Sequence, residues 1–386
     1  MNILWIVQKN LQRDLDISTW LETATFLAKR NHHVTLVALS STREKFASSI
    51  PNLVVREIRV VNLFPFVSIS FHLQVLIFSL IWIFSLRPNV IMTHPLTALF
   101  LLPAKFAVKL SGLKTKFVLD IRTLPVRSAN LNDKIKKKLI DLTIKIAKAK
   151  FEKITVITPV LQKIISERYQ IDLRQISVWM SGVNIDLFQP KDRVPMFHQQ
   201  SDDSFIVMYH GALAENRGLF ETMQAMAYVK EKFPNIKLLI LGKGLAYEML
   251  VQKANNQNLT DVIRFHEAIS YNQMPDYIAQ ADVGIIPLPD EECWRVSSPL
   301  KLFEYLAMAK PVIVSPIEAH TSVMNDCPAA IWLKSTSPPD IAEGIMTAYS
   351  LRDQFHQLGK KGREFVVHRF SWEHQALRLE EFLKKL

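Results

Sequence analysis

The chain has 386 residues, 49% of them hydrophobic and 22% charged, which excludes a mostly disordered protein and leaves room for two domains with separate cores. Its formal net charge of +11 favours anionic partners, whether nucleic acid, an acidic membrane surface or phosphorylated substrates. Cys293 and Cys327 are too few for a disulfide framework or a zinc site, and they fit a reducing compartment.

In chain order, residues 2–7 read as a short apolar strand and 8–16 as a polar loop. Charged and polar residues follow that strand directly, so no secretory signal is expected. A helix over 19–29, opened by a Thr19–Glu22 capping box, leads to a strand at 33–39. Strand, loop, helix, strand is the opening of a doubly wound α/β domain, whose ligands lie beyond the carboxyl ends of the strands. Residues 60–86 carry no charge, and 67–86 are long enough to span a bilayer. His72, Gln74 and four serines interrupt that stretch, and a strand at 89–92 follows. A buried or membrane-facing helix between two strands is therefore the expectation.

A helix at 95–110 and a strand at 116–120 come next, with His94, Asp120 and Arg122 at strand ends as candidate acid–base groups. His94 is equally readable as a structural histidine, and Asp120 with Arg122 as a local ion pair. Residues 134–153 hold eight lysines around an apolar stripe of Ile135, Leu139, Leu142, Ile146 and Ala149. That pattern fits a helix on a membrane surface or an ordinary solvated helix face. Strands at 154–158 and 176–180 lead to a turn around Gly182 that Pro190 closes, then to a polar linker at 191–204.

The plan then restarts, with strands at 205–209, 237–241, 262–265 and 283–287 and helices at 219–231 and 272–281. Four loops of this half should end on one side of its sheet. They carry Gly211 with Arg217 and Gly218, Gly242 with Gly244, Phe265 with His266, and Ser298 with Lys301 and Glu304. Residues 297–315 are the centre of this arrangement. Ser298 is placed to cap a helix that Pro299 opens, and Lys301 and Glu304 lie three residues apart near its positive end. A helix start with a lysine favours a diphosphate, and a carboxylate one turn deeper accepts hydrogen bonds from a ribose. The plain alternative is a capped helix with a surface Lys–Glu pair. Gly242 and Gly244 likewise read either as close backbone approach to a ligand or as a tight turn. No Walker loop, nucleophile elbow or metal-ligand cluster is present in the sequence. An amphipathic helix at 371–386 closes the chain.

Three segments together, 181–190, Gly211 with Arg217 and Gly218, and 298–305, resemble the family 4 (group 1) retaining glycosyltransferases of GT-B fold. The resemblance runs over nearly the whole length. It implies two Rossmann-like doubly wound α/β domains facing a central cleft: an acceptor-binding domain over 1–190 and a nucleotide-sugar-binding domain over 205–367. A C-terminal helix at 368–386 would return towards the first domain. It also implies a cytoplasmic enzyme that moves a sugar, with retention, from a nucleotide-sugar donor to a glycan or lipid-linked acceptor, without a metal or other cofactor.

In that family the second glutamate of a Glu-x7-Glu motif binds the donor ribose, and Glu304 matches it. The basic residue before the glycine of the first loop of the second domain binds the diphosphate, and Arg217 matches it. Taken with the loops and strand ends read above, the expected donor set is Gly211, Arg217, Gly218, Gly242, Gly244, Phe265, Ser298, Pro299, Leu300, Lys301 and Glu304, and the expected catalytic set is His94, Asp120 and Arg122. The sequence departs from the pattern in places. Val296 stands where the first glutamate would fall, Ala212 where an arginine often makes a second diphosphate contact, and Arg122 where the first domain has its histidine. The usual double glycine of the first loop is replaced by a run with Gln8, Lys9, Asn10 and Gln12. Arg122 stays protonated, so its role would be electrostatic. The expected site is a peripheral one on an anionic membrane surface through 67–86 and 134–153, with no nucleic-acid partner. A nucleotide-sugar epimerase of the same fold and a non-catalytic partner subunit are the alternatives. A nicotinamide dehydrogenase is remote, because the first loop lacks Gly-x-Gly-x-x-Gly.

Overall fold

A computed structural model describes residues 1–11, 14, 16–40, 48–60, 66–124, 131–193 and 204–386, with 131–133 described by backbone alone. Gln12 and most of the expected linker at 191–204 lie outside these residues. The chain folds as two compact units: Met1–Ser181 with Val296–Ser298 and Trp372–Leu386, and Gly182–Arg295 with Pro299–Ser371.

The first unit runs β1 (Asn2–Asn10), α1 (Ser18–Lys29), β2 (His33–Ser40), β3 (Leu53–Arg59), α2 (Phe66–Leu86), β4 (Val90–Thr93), α3 (Pro95–Phe100), α4 (Leu102–Ser111), β5 (Lys116–Ile121), α5 (Leu131–Lys150), β6 (Lys153–Val156), α6 (Pro159–Tyr169) and β7 (Ile176–Val178). The second runs β8 (Phe205–Ala212), α7 (Leu219–Lys232), β9 (Ile236–Lys243), α8 (Tyr247–Asn256), β10 (Ile263–His266), α9 (Met274–Ala279), β11 (Val283–Ile286), α10 (Glu292–Arg295), α11 (Leu300–Ala307), β12 (Val312–Val314), α12 (Glu318–Met324), β13 (Ala330–Trp332), α13 (Pro338–Ser350) and α14 (Phe355–Phe370). The closing helix α15 (Trp372–Lys384) belongs to the first unit.

Both sheets are wholly parallel, and their central strands are continuous apolar runs, while the edge strands β3 and β10 expose polar residues such as Arg56, Arg59 and Arg264. The strand orders are β3-β2-β1-β4-β5-β6-β7 and β10-β9-β8-β11-β12-β13. Each order reverses direction once, between β1 and β4 and between β8 and β11, and the loops after β1 and β8 flank those points. In the first unit, one sheet face is covered by α2 to α6 through Phe71, Val75, Ala104, Ile144 and Leu161. The other is covered by α1 and α15, where Trp20 and Leu379 pack with Trp5. Two Rossmann-like domains are therefore present, as the strand–helix alternation predicts.

Local details differ from the sequence reading for identifiable reasons. The helix expected at 95–110 is two helices, because Pro103 supplies no amide and fits only a first turn, so the chain restarts at Leu102. Pro275 does the same at 272–281, where a 3-10 turn over Tyr271–Gln273 precedes α9. The Thr19–Glu22 capping box does not form: α1 already starts at Ser18, so Thr19 lies inside the helix and Ile17 at the cap makes no side-chain bond. Strand β1 continues to Asn10, shortening the polar loop.

Candidate functional site

The polar centre of the second unit is built where β8 ends and α11 begins. Lys301 and Glu304 both lie on α11 and are only 7% and 6% exposed, so the surface-pair alternative does not describe them. The Lys301 ammonium sits 4.5 Å above the Tyr209 ring and 3.4 Å from its hydroxyl, which in turn donates to the Ala212 carbonyl at 2.8 Å. Burial pulls the Lys301 pKa well below the usual lysine range, and the nearby Arg217 charge lowers it further. Burial pushes Glu304 up to about 7, against the pull of Lys301. His210 Nε2 lies 3.4 Å from a Glu304 carboxylate oxygen without hydrogen-bond geometry, and burial, then Lys301, holds this imidazole neutral. His320, fixed by its Nδ1 bond to the Ser315 carbonyl at 2.8 Å, is lowered to about 4 by burial, with Lys301 adding to the shift.

Arg217 reaches the same group from the loop after β8. Its guanidinium lies 4.4 Å over the ring of Trp294, whose indole nitrogen donates to the Asn216 carbonyl at 2.8 Å. Three buried nitrogens here have no hydrogen-bond partner among the described residues: Arg217 Nε, His210 Nε2 and His320 Nε2. Buried polar atoms are almost always paired, and these three belong to one electrostatic group, in which the Arg217 charge acts on Lys301 and the Lys301 charge acts on both imidazoles; that makes it a candidate place for a polar ligand. Tyr209, His210, Trp294 and His320 were not legible as site residues in the sequence. The only signal was the His-Gly pair closing β8, which is too common to single out.

Gly211 and Gly218 lie with Arg217 on this loop. A Cβ on Gly211 would come 3.3 Å from the Lys301 Cε and Nζ, so the missing side chain makes room for the ammonium. Gly218 has φ +71° at the start of α7, and a Cβ there would sit 1.9 Å from the Pro287 carbonyl oxygen. Gly242 and Gly244 face backbone: a Cβ on each would strike the carbonyls of Gly211 and Leu213 at 1.8 and 2.0 Å. Their need for glycine is thus explained by the packing of β8 against the end of β9, as in the tight-turn reading. Phe265 packs edge-on to Tyr247 at 6.1 Å against the hydrophobic core.

Ser298 does not cap α11. Its hydroxyl accepts from the Ser181 amide at 3.2 Å within the first unit, while α11 starts at Leu300 with an extended Pro299 and no side-chain cap. Without a capping oxygen, the first amides of α11 keep no side-chain acceptor from the chain before it.

In the first unit, Arg122 donates to the Trp179 carbonyl at 2.7 Å and stacks 3.7 Å from its ring, while Nε and Nη2 are buried without partners among the described residues. Asp120 accepts from the Thr155 hydroxyl at 2.8 Å and the Trp179 indole at 3.1 Å. Asp120 is thus occupied in fixing the tryptophan that carries Arg122, beyond any simple ion pair. Burial raises its pKa and lowers that of Arg122 to about 10, each against the other's charge. The His94 tautomer follows from a chain of bonds. His72 Nδ1 must donate to the Ser68 carbonyl at 2.7 Å, so its Nε2 accepts from the Thr97 hydroxyl at 3.2 Å. Thr97 then accepts from His94 Nε2 at 2.9 Å, which leaves His94 Nδ1 as the acceptor. Burial, with the charges of His72, Lys9 and Lys136, drops His94 to about 3.

The sequence matches two family descriptions in tandem: Glycosyltransferase Family 4 over residues 18–187 and Glycosyl transferases group 1 over residues 191–365. The chain belongs to the group 1, family 4 glycosyltransferases. The lipopolysaccharide 1,2-N-acetylglucosaminetransferase of Salmonella typhimurium is 26% identical over 204 residues, 50% of this chain and 52% of that protein. The chain spans about half the length of the curated relatives it matches. Among solved structures, the sucrose-phosphate synthase of Thermosynechococcus elongatus has a TM-score of 0.78 at 16% identity, covering 100% of this chain and 99% of that one. HepE of Anabaena, solved with UDP and glucose, has a TM-score of 0.76 at 13% identity, with 100% of both chains covered. These likenesses establish the GT-B fold.

Against this glycosyltransferase family, the departures acquire physical meaning. Val296, where the family has a glutamate, is fully buried in the core of the first unit, and its carbonyl accepts from the Thr158 hydroxyl at 3.0 Å. An ionised side chain there would lie in hydrocarbon. Ala212 leaves one cation fewer at the loop after β8, next to which Lys301 is held.

Proposed function

We propose that the second unit binds a nucleoside-diphosphate sugar and that the chain transfers the sugar, with retention, to a glycan or lipid-linked acceptor in cell-surface polysaccharide or glycolipid synthesis. The observation that carries this reading is the convergence of Arg217, Lys301 and Glu304 on one buried group with three unpartnered nitrogens. Arg217 and Lys301 supply positive charge for the diphosphate, and that charge counts most as the sugar departs and the diphosphate gains charge. Protein cations take the place of a metal in this proposal. Glu304 accepts hydrogen bonds from the ribose hydroxyls. Family membership supports retention, the Salmonella relative supports a surface polysaccharide, and two buried, unpaired cysteines fit work in the cytoplasm.

In the first unit, Arg122 acts as a fixed cation whose two open N–H groups meet an anionic part of the substrates. His94 accepts a hydrogen bond at Nδ1. With a pKa near 3 it is a weak base at neutral pH, so positioning a hydroxyl is its main contribution.

A thermal-shift screen across nucleoside diphosphates and their sugars tests the donor site. One nucleotide family should raise Tm by about 5 °C at a hundredfold excess over its Kd, and Arg217→Ala and Glu304→Ala should abolish the shift. Equal shifts with all bases, or an undiminished shift in both variants, would refute the assignment. Release of an altered free sugar without any acceptor would identify an epimerase.

A further inference from the structure

We propose that the outer face of α2, extended by α4 and α5, docks on an anionic lipid bilayer, with α2 lying in the plane of the interface. The long uncharged helix does not have the option of spanning. It joins β3 to β4 of one sheet, and its inner side, Phe71, Val75, Trp82 and Ile83, is part of the core under that sheet. A spanning orientation would strip those side chains from the sheet.

The outer side is left apolar. Phe66, Ile69, Leu73, Ile77, Ile81 and Phe84 recur at three- and four-residue spacing along the whole helix, and Ile77 is 61% exposed. At 1.5 Å per residue this ridge is about 30 Å long. Scattered apolar residues on a surface need no explanation, but a helix-long stripe does. The neighbouring α4, which packs beside α2, adds Phe106 and Leu110, the latter 72% exposed. α5 covers the same sheet face through Ile144 and Ala147 and presents Ile135, Leu139 and Leu142 outward.

Charge identifies the occupant. α2 has no acidic residue, whereas α5 carries seven lysines and two aspartates, and Lys134, Lys136, Lys137, Lys138, Lys145 and Lys148 are exposed. Apolar residues flanked by lysines on one layer match an interface with acyl chains below and anionic headgroups above. A second copy of this chain fits poorly, because a two-fold dimer through this face would bring two lysine-rich helices to the same contact. The docking surface is independent of the donor site, so each fails or stands alone.

Vesicle flotation of the full chain tests it, using pure phosphatidylcholine and phosphatidylcholine with about one third phosphatidylglycerol. The chain should float with the anionic vesicles. Lys137→Gln, Lys138→Gln and Lys145→Gln together should weaken partitioning about a hundredfold, at roughly fivefold per lysine. Ile77→Gln with Ile81→Gln should weaken it comparably at unchanged Tm, since both sites are exposed and folding does not require them. Either variant floating as the parent does, or no flotation of the parent, would overturn the proposal. So would a vesicle-independent dimer, seen by sedimentation, that the isoleucine variant dissolves. The nucleotide-induced Tm shift, measured without vesicles, reports the donor site separately.

Discussion

Glu304 is held at a cost in the ligand-free protein, as the ribose-binding role proposed for it requires. Burial raises its pKa to about 7, so the folded protein prefers the protonated acid, while the unfolded chain ionises it near 4.5. A raised carboxyl pKa means that Glu304 costs nothing below about pH 4.5; the penalty grows as pH rises to about 7 and stays constant above it. Glu304→Gln should therefore stabilise the ligand-free protein at pH 8, by about 1–3 kcal/mol, and leave it unchanged at pH 4. The same substitution should weaken nucleotide binding, the trade expected where a strained group serves a ligand. Affinity in the parent should rise with pH through about 7 as the carboxylate forms. Calorimetric titration between pH 5.5 and 8 reads this acid limb. An acid limb that survives in Glu304→Gln would show that another group controls it. His210 bears on this test, because its Nε2 faces a Glu304 carboxylate oxygen and has no hydrogen-bond partner among the described residues.

At the scale of elements, the two halves of the site rest on a turn and a short helix. The turn Glu215–Arg217 ends at Gly218, which has φ +71° and no room for a Cβ beside Pro287. Gly112, at the end of α4, has almost the same φ of +70° but open space around it. Gly112→Ala should thus cost about 1 kcal/mol from backbone strain alone, and Gly218→Ala upwards of 3 kcal/mol from strain plus the clash. Urea denaturation of both variants separates the two contributions, and equal losses would show that packing at Pro287 yields freely. Much of this scale was legible in the sequence. The helix at Leu300–Ala307 was marked by Pro299 at its start, and Arg217 with Gly218 by their types. What was not legible depends on tertiary partners. Ser298 looked like a cap because serine before proline usually is one; Ser181, 117 positions away, claims its hydroxyl instead. Gly242 and Gly244 read as a tight turn more readily than as a ligand contact, and the carbonyls of Gly211 and Leu213 beside them show why each must be glycine. His210 and Trp294 had no periodicity to announce them.

For the whole molecule, the segments of the first unit that are distant in sequence have to be tied together, and Glu380 does this for the last helix. It is 4% exposed and takes Arg30 at 2.6 Å, His32 at 2.8 Å and Lys384 at 2.6 Å. Arg30 and His32 follow α1, on which α15 packs with Leu379 and Leu383 in the core. Burial by itself would raise this carboxyl, but the hydrogen bonds from Lys384, His32 and Arg30 hold it at about 2. A depressed carboxyl pKa contributes stability that is complete above about 4.5 and lost as pH falls towards 2. Glu380→Gln removes the charge while keeping the shape, and leaves the cations of Arg30 and Lys384 around a neutral amide. The cost should be about 3 kcal/mol at pH 7, as for other broken buried pairs, and should shrink as pH falls from about 4.5 to 2. Equilibrium urea unfolding across that window measures it. A loss that stays constant down to pH 2 would mean that packing of the glutamine, and not the charge, is responsible. Because Glu380 lies remote from Arg217, Lys301 and Glu304 in sequence and in a different unit, nucleotide stabilisation of the variant should match that of the parent when each is referred to its own ligand-free Tm.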